Sequence, residues 1–320
     1  MTRTPRTLLL AGAAGLALVL SSCAADDVAA GGGSSSSESP TASGETIVVG
    51  GANFTEMAIM QAMYVELLED AGYQTETVSV DNRELYFDAL ASGEIDVVPE
   101  YAATLAEFLN LQANGEGAAP IATNDAAATV AAARPLAEAR GVELLEPTQA
   151  ANQNAFAVTE RFAEENGLTT LSDLAARGLP VALAAPPECA TRPFCQPGLE
   201  ATYGLSISSL LPLGFSTPET KAAVQAGQAQ LGLVGTTDGT LGQFRLVILE
   251  DDKHLQLADN LVPALAADTA EDAVLTEKLN SLAEVLTTED LAILNGQVDS
   301  ERLLAEDVAH NYLLDHDLVS

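Results

Sequence analysis

Thr46 to Val80 reads TIVVGGANFTEMAIMQAMYVELLEDAGYQTETVSV, and Asp81 to Tyr101 continues it as DNRELYFDALASGEIDVVPEY. TIVVG is a short apolar run that ends in Gly50-Gly51. Asn53-Phe54-Thr55-Glu56 follows, with Asn53 or Thr55 placed to cap the amphipathic run that reaches Ala71. Gly72 stops that helix, and Gln74–Val80 alternates as a strand. Asn82–Ser92 is helical up to Gly93. Ile95–Val98 then runs as a strand into Pro99-Glu100-Tyr101. Strand, helix, strand, helix, strand is the order of an α/β unit with a mainly parallel sheet.

Outward from this stretch, Thr104–Asn114 and the Ala-rich Ala126–Arg140 read as helices. A second α/β unit has strands at Ala155–Val158, Pro180–Ala184, Leu231–Val234 and Leu246–Glu250, with helices at Leu199–Tyr203 and Thr217–Gly227. The rest, from Glu271 to Leu318, is helical and is expected to return to the first unit. The expected organisation is a first lobe from residues 46–150 plus 255–320 and a second lobe from 151–254. Ligands of parallel α/β sheets bind beyond the C-terminal ends of the strands. The loops in that position are Gly51–Thr55, Pro99–Thr104, Gln153–Asn154, Pro186–Cys195 and Gly235–Asp238.

Upstream, Arg3 and Arg6 precede an apolar run from Leu8 to Leu20, and Ser21-Ser22-Cys23 follows. This is a secretory signal over residues 1–22, too short for a transmembrane helix. Leu20-Ser21-Ser22-Cys23 resembles the bacterial lipobox, which predicts acylation of Cys23. Residues 23–45 are rich in Gly, Ser and Ala and cannot bury enough surface to offset their conformational entropy, so they read as a flexible tether. No later apolar run is long enough to cross a membrane.

The 320 residues carry 46 Asp and Glu against 13 Lys and Arg, a formal charge of −33. That balance excludes nonspecific nucleic-acid binding and docking on anionic lipid through a basic face. Contact with the membrane is expected through the lipid anchor only. Three His and three Cys argue against a zinc site, and no metal or cofactor is expected. With Cys23 acylated, Cys189 and Cys195 remain in an oxidising compartment, where leftover pairs usually bond. Their Pro-rich loop suits a structural disulfide that fixes Arg192 between them. A redox or metal pair is the alternative, which the six-residue spacing fits poorly.

No G-x-S-x-G elbow, P-loop or dinucleotide fingerprint follows a strand, and His254, His310 and His316 are scattered. An enzyme is therefore not expected; a lipid-anchored hydrolase is the weaker alternative, and a surface lipoprotein with a sensory or adhesion role is another.

The stretches IVVGGANFTEMAIMQAMYVELLEDAGY, LASGEIDVVPEYAAT, APPECATRPFCQPGLEATYGL, GTTDGTL, LVILEDDKH and LTTEDLAILNGQVD together resemble the substrate-binding lipoproteins of bacterial ABC importers for glycine betaine, choline and related osmoprotectants. The resemblance implies a two-lobed periplasmic-binding-protein-like fold, each lobe a mainly parallel sheet flanked by helices, with two crossovers. It also implies a monomer on the extracytoplasmic face that hands a small polar or zwitterionic solute to a permease and an ATPase encoded elsewhere. Tyr101 matches a Tyr that packs on the ligand's cationic head, although on chemistry alone it is equally a core aromatic. Arg192 matches an Arg that grips a betaine carboxylate, although it is also placed to pair with Glu188. Many relatives have aromatics where this chain has Asn154 and Gly235, and a Lys where it has Ala52. The expected site is Asn53, Thr55, Tyr101, Asn154, Arg192, Thr236 and Thr237, with Arg192 and Tyr101 facing one another. Two aromatic walls missing from a cation cage predict weak or no binding of glycine betaine and choline. Phe54 and Phe156 are expected in the core, and Asp238 in a simple turn.

Overall fold

The computed structural model describes Thr46–Ser320 apart from Glu116. The expected signal sequence, Cys23 and the tether lie outside the described residues. Strands β1 (Thr46–Ala52), β2 (Gln74–Val80) and β3 (Val97–Tyr101) alternate with helices α1 (Thr55–Asp70), α2 (Arg83–Ser92) and α3 (Ala102–Asn114). Helix α1 buries Met57, Ile59, Met60, Met63, Tyr64, Leu67 and Leu68, a helical period that turns one broad face to the sheet. Gly93 ends α2 in the left-handed conformation, at φ 77°, which a residue with a Cβ adopts at a cost. After α4 (Ala126–Glu138) and β4 (Val142–Leu144) the chain crosses to a second sheet.

That sheet contains β5 (Asn154–Thr159), β6 (Pro180–Ala185), β7 (Ser206–Pro212), β8 (Leu231–Gly235) and β9 (Leu246–Leu249). Its helices are α5 (Glu160–Asn166), α6 (Leu171–Ala176), α7 (Gln196–Gly198) running into a π turn at Leu199–Tyr203, and α8 (Pro218–Gln225). The chain then returns through β10 (Leu261–Ala266) to α9 (Ala273–Val285), α10 (Thr288–Asp299) and α11 (Ala305–Asp315). These last three helices pack on α1. Leu275, Leu282, Leu291 and Leu313 share its apolar core.

The strand orders are β2-β1-β3-β10-β4 and β7-β6-β8-β5-β9. In each sheet one strand runs against the rest: β10 is antiparallel to β3 and β4, and β5 to β8 and β9. Both are the strands entered straight after a crossover. A chain that leaves one sheet at the C-terminal edge of its strands arrives at the same edge of the other, so the entering strand has to run backwards. The two crossovers, 145–153 and 250–260, touch through an antiparallel bridge between Ala151 and Asn260. They tie the lobes together at the edge where the loops after the strands gather.

Three strands and one helix differ from the reading of the sequence. Strand β10 contains Pro263, which lies opposite Pro99 of β3. Proline in a strand argues against a ladder. It is tolerated here because Pro263 points its carbonyl away from β3, where it accepts the N–H of Leu145. Strand β7 is an edge strand with mostly exposed residues, so it lacks an apolar alternation. Strand β4 has only 3 residues, and α5 buries only Ala163. Cys189 and Cys195 are joined by the expected disulfide. Among the described residues no helix is long and apolar enough to cross a membrane.

Candidate functional site

The C-terminal ends of β1, β2 and β3 face those of β6, β7 and β8. Between them lies a cavity of about 80 Å³ whose lining includes Phe54, Tyr101, Asn154, Arg192, Phe215 and Asp259. Phe54 comes from the β1–α1 loop, Tyr101 from the end of β3, Phe215 from the β7–α8 loop and Asp259 from the second crossover. The Phe54 ring lies 6.3 Å from that of Tyr101 and 5.3 Å, edge-on, from that of Phe215. Such a cluster presents π faces and edges to whatever it encloses.

Phe215 stands beside Gly235. A Cβ on Gly235 would come within 2.7 Å of Asn152 Oδ1 and 3.2 Å of Phe215 Cζ. The missing side chain is what admits this amide and this ring. Ser216 takes a left-handed φ of 52° directly after Phe215. Its hydroxyl donates to Asp238 and accepts the Gly235 N–H. The turn that aims the ring is thus tied to the strand it leans on. Phe215 thus places an aromatic ring beside Gly235, and Phe54, expected in the core, packs half-buried against it and also lines the cavity. Phe156 is buried in the core of the second lobe, as expected.

Behind Tyr101 sits Glu56, 2% exposed, in the first turn of α1, where the helix dipole favours a carboxylate. Its Oε1 accepts from the Tyr101 hydroxyl at 2.6 Å and Asn152 Nδ2 at 3.0 Å. Its Oε2 accepts from the Thr237 hydroxyl at 2.6 Å and Asn295 Nδ2 at 2.7 Å. One carboxylate thus joins both lobes and a crossover. Burial, and then the charge of Glu56, hold the Tyr101 phenol well above its usual range, so Tyr101 is a hydrogen-bond donor to Glu56 at any physiological pH.

Two guanidiniums line the cavity. Arg83 is buried and places Nε and Nη2 on Glu100, at 2.9 and 2.6 Å, and Glu100 also accepts from the Tyr86 hydroxyl. Burial opposes the Arg83 charge, but Glu100 outweighs it and raises the pKa further. Arg192 is held by its Cys189–Cys195 ring and reaches across to α2, with Nε and Nη2 on Glu84 at 3.0 and 2.7 Å. Burial pushes the Glu84 carboxyl up, yet Arg192 holds it below the usual range. Beside them Glu188 accepts from Asn82 Nδ2 at 3.2 Å. Asp259 accepts from the Thr104 N–H at 2.9 Å. Burial nonetheless pushes its carboxyl up to about 6, against the Thr104 hydrogen bond and the Arg83 charge.

Of the residues expected at the site, Tyr101, Asn154 and Arg192 line this cavity. Asn53, Thr55 and Thr237 line a neighbouring groove of about 350 Å³ that shares Phe54, Asn152 and Phe215 with it. Thr236 lines neither and accepts the Gln153 N–H at 3.0 Å. Neither Asn53 nor Thr55 caps α1: Phe54 is the N-cap residue, and the Thr55 hydroxyl donates to Asp299 at 2.6 Å. Asp238 is more than a turn residue, being ion-paired with buried Lys221 at 2.7 Å. The unexpected participants are Glu56, Phe215, Asn295, Arg83 and Asp259. Glu56 had a local signal, an acid in the first turn of a helix beside a Gly-rich loop. Asn295 had none, because its partner is 239 residues away in the chain.

Residues 45–315 match the family described as the substrate binding domain of ABC-type glycine betaine transport systems. A glycine-betaine-binding protein of Pseudomonas aeruginosa is 30% identical over 294 residues, covering 87% of this chain and 90% of that protein. The glycine betaine-binding protein YehZ of Escherichia coli is 26% identical over 285 residues, covering 86% and 92%. Among solved structures, a glycine betaine/carnitine/choline ABC transporter protein superposes with a TM-score of 0.62 at 20% identity, covering 85% of this chain and 99% of that one. Apo YehZ from Escherichia coli gives 0.57 at 26% identity, covering 86% and 99%. The chain belongs to the family of substrate-binding domains of ABC-type glycine betaine transport systems, the solute-binding component of an importer.

Proposed function

We propose that this protein captures a small quaternary-ammonium solute, of the glycine betaine and choline class, in the cavity between Tyr101, Phe54 and Phe215. It delivers that solute as a monomer to a permease and an ATPase carried on other chains, from an acyl anchor on Cys23 at the extracytoplasmic face. The first lobe, 46–150 plus 255–320, and the second, 151–254, close on the solute between them. Asn154 and Arg192 belong to the walls of this cavity, Asn53, Thr55 and Thr237 to the adjoining groove, and Thr236 to neither.

The observation that carries this reading is the cluster of three aromatic rings around a cavity bordered by carboxylates. A ring holds a quaternary ammonium by about 0.5–2 kcal/mol through cation–π attraction, more when water is excluded. Methylated ammonium needs no hydrogen-bond acceptor, so apolar faces with negative charge behind them suit it better than amides alone.

A thermal-shift screen over quaternary ammonium compounds, amino acids and polyols tests the reading. A ligand at 100 times its dissociation constant adds about 2.7 kcal/mol of stability. Stabilisation by choline or glycine betaine and by none of the amino acids or polyols is the expected result. Stabilisation by an amino acid or a polyol alone would overturn it. For the anchor, Cys23→Ser should release the protein from the membrane fraction, and a variant that stays bound would remove that part.

A further inference from the structure

We infer that the cavity selects a quaternary-ammonium cation over a zwitterion, because Arg192 is a latch between the lobes and not a receptor for a ligand carboxylate. This rests on the quaternary-ammonium reading above.

A betaine carboxylate needs a guanidinium or comparable donor set with its fork free. The cavity is lined by two guanidiniums, and both forks already hold carboxylates. Arg83 has Nε and Nη2 on Glu100, within one lobe and buried. Arg192 has Nε and Nη2 on Glu84 of the opposite lobe, with Glu188 Oε1 a further 3.6 Å contact. A ligand carboxylate that took the Arg192 fork would leave Glu84 without its partner, close to Glu188 and to the incoming anion. It would also break one of the contacts that cross between the lobes, where Arg192–Glu84 lies beside Asn82–Glu188.

The remaining charge points the same way. Asp81, Glu188 and Asp259 line the cavity, and Glu56 lies behind the Tyr101 ring. Two Arg already matched by Glu84 and Glu100 leave these acids in excess, which attracts a cation and repels a carboxylate. A choline-like ligand, a quaternary ammonium with a neutral tail, satisfies the aromatic rings and this field without disturbing the latch.

The test is calorimetric titration of the folded protein with choline and with glycine betaine, on the wild type, Arg192→Ala and Glu84→Gln. The wild type should bind choline at least about tenfold more tightly. Arg192→Ala should weaken both ligands by a similar factor, because it removes closure and not a ligand contact. Glu84→Gln frees the guanidinium, so the ratio should move toward glycine betaine. Equal or tighter binding of glycine betaine by the wild type would overturn the inference, as would a loss in Arg192→Ala confined to that ligand. Binding of neither compound would refute the quaternary-ammonium reading itself, and the inference with it.

Discussion

Arg83 and Arg192 sit in the lining of one cavity, and each engages a glutamate through the same two nitrogens. Arg83 and Glu100 are sealed within one lobe, with side chains 7% and 0% exposed, whereas Arg192 and Glu84 join two lobes and are 30% and 36% exposed. Inside a lobe, an ion pair is set when the lobe folds and cannot part without leaving a charge in a poor solvent. Between lobes, both partners have water to return to. The same chemistry is therefore fixed structure in the first place and a contact that water can replace in the second.

Removing one partner of each pair should break this symmetry of chemistry most visibly. Arg83→Ala strands Glu100 in the interior and should cost about 3–5 kcal/mol in chemical denaturation. A loss under about 1 kcal/mol would mean that burial does not distinguish the pairs.

Asp259 sharpens the comparison, because it is buried near Arg83 yet has no salt bridge among the described residues. Its folded carboxyl titrates at about 6 against 3.8 when free. The folded state therefore binds the extra proton between those values. Stability from this group is greatest below the free value and falls as pH rises through the folded one. Asp259→Asn should remove up to roughly 3 kcal/mol of that dependence and be more stable than the wild type above pH 6. Denaturation midpoints at acid and alkaline pH that shift in parallel for the two proteins would contradict this.

The ring that carries Arg192 comes next. Replacing Cys189 and Cys195 together by Ser should lower stability by about 2 kcal/mol for so short a loop. Affinity should fall as well, because the loop presents the latch. Unchanged affinity would show that the disulfide stabilises the lobe without positioning Arg192.

Phe215→Ala should weaken quaternary-ammonium binding by about tenfold with little change in stability, as loss of one aromatic wall implies. Gly235→Ala should act through the same ring, by pushing on it and on Asn152. If Gly235→Ala binds normally, Phe215 moves aside without consequence and is not a wall of the site. Smallest of all is the effect of Arg192→Ala on folding, below about 1 kcal/mol for a partly exposed pair, measured by the same denaturation as Arg83→Ala.

The amphipathic α1 and the Gly51–Thr55 loop were legible in the sequence because they are local patterns: an apolar run, a period, a stop. Tyr101 and Arg192 were legible through their neighbours, Pro99-Glu100 and the Pro-Cys loop. Strand β10 was not, since Pro263 breaks the apolar pattern and only the register against β3 makes it harmless. Glu84 and Phe215 were missed for a related reason. Glu84 looks like any exposed helix acid until Arg192, 108 residues on, reaches it from the other lobe. Phe215 acquires a role only because Gly235, on a different strand, leaves it room. Position along the chain carries the lobes, and pairings between lobes carry the site.

A crystal structure of the protein with choline tests the account most directly. The ammonium group should lie among Phe54, Tyr101 and Phe215, with Arg192 still on Glu84. Ammonium density in the neighbouring groove beside Thr55 and Asp299, or Arg192 turned away from Glu84 onto the ligand, would contradict it.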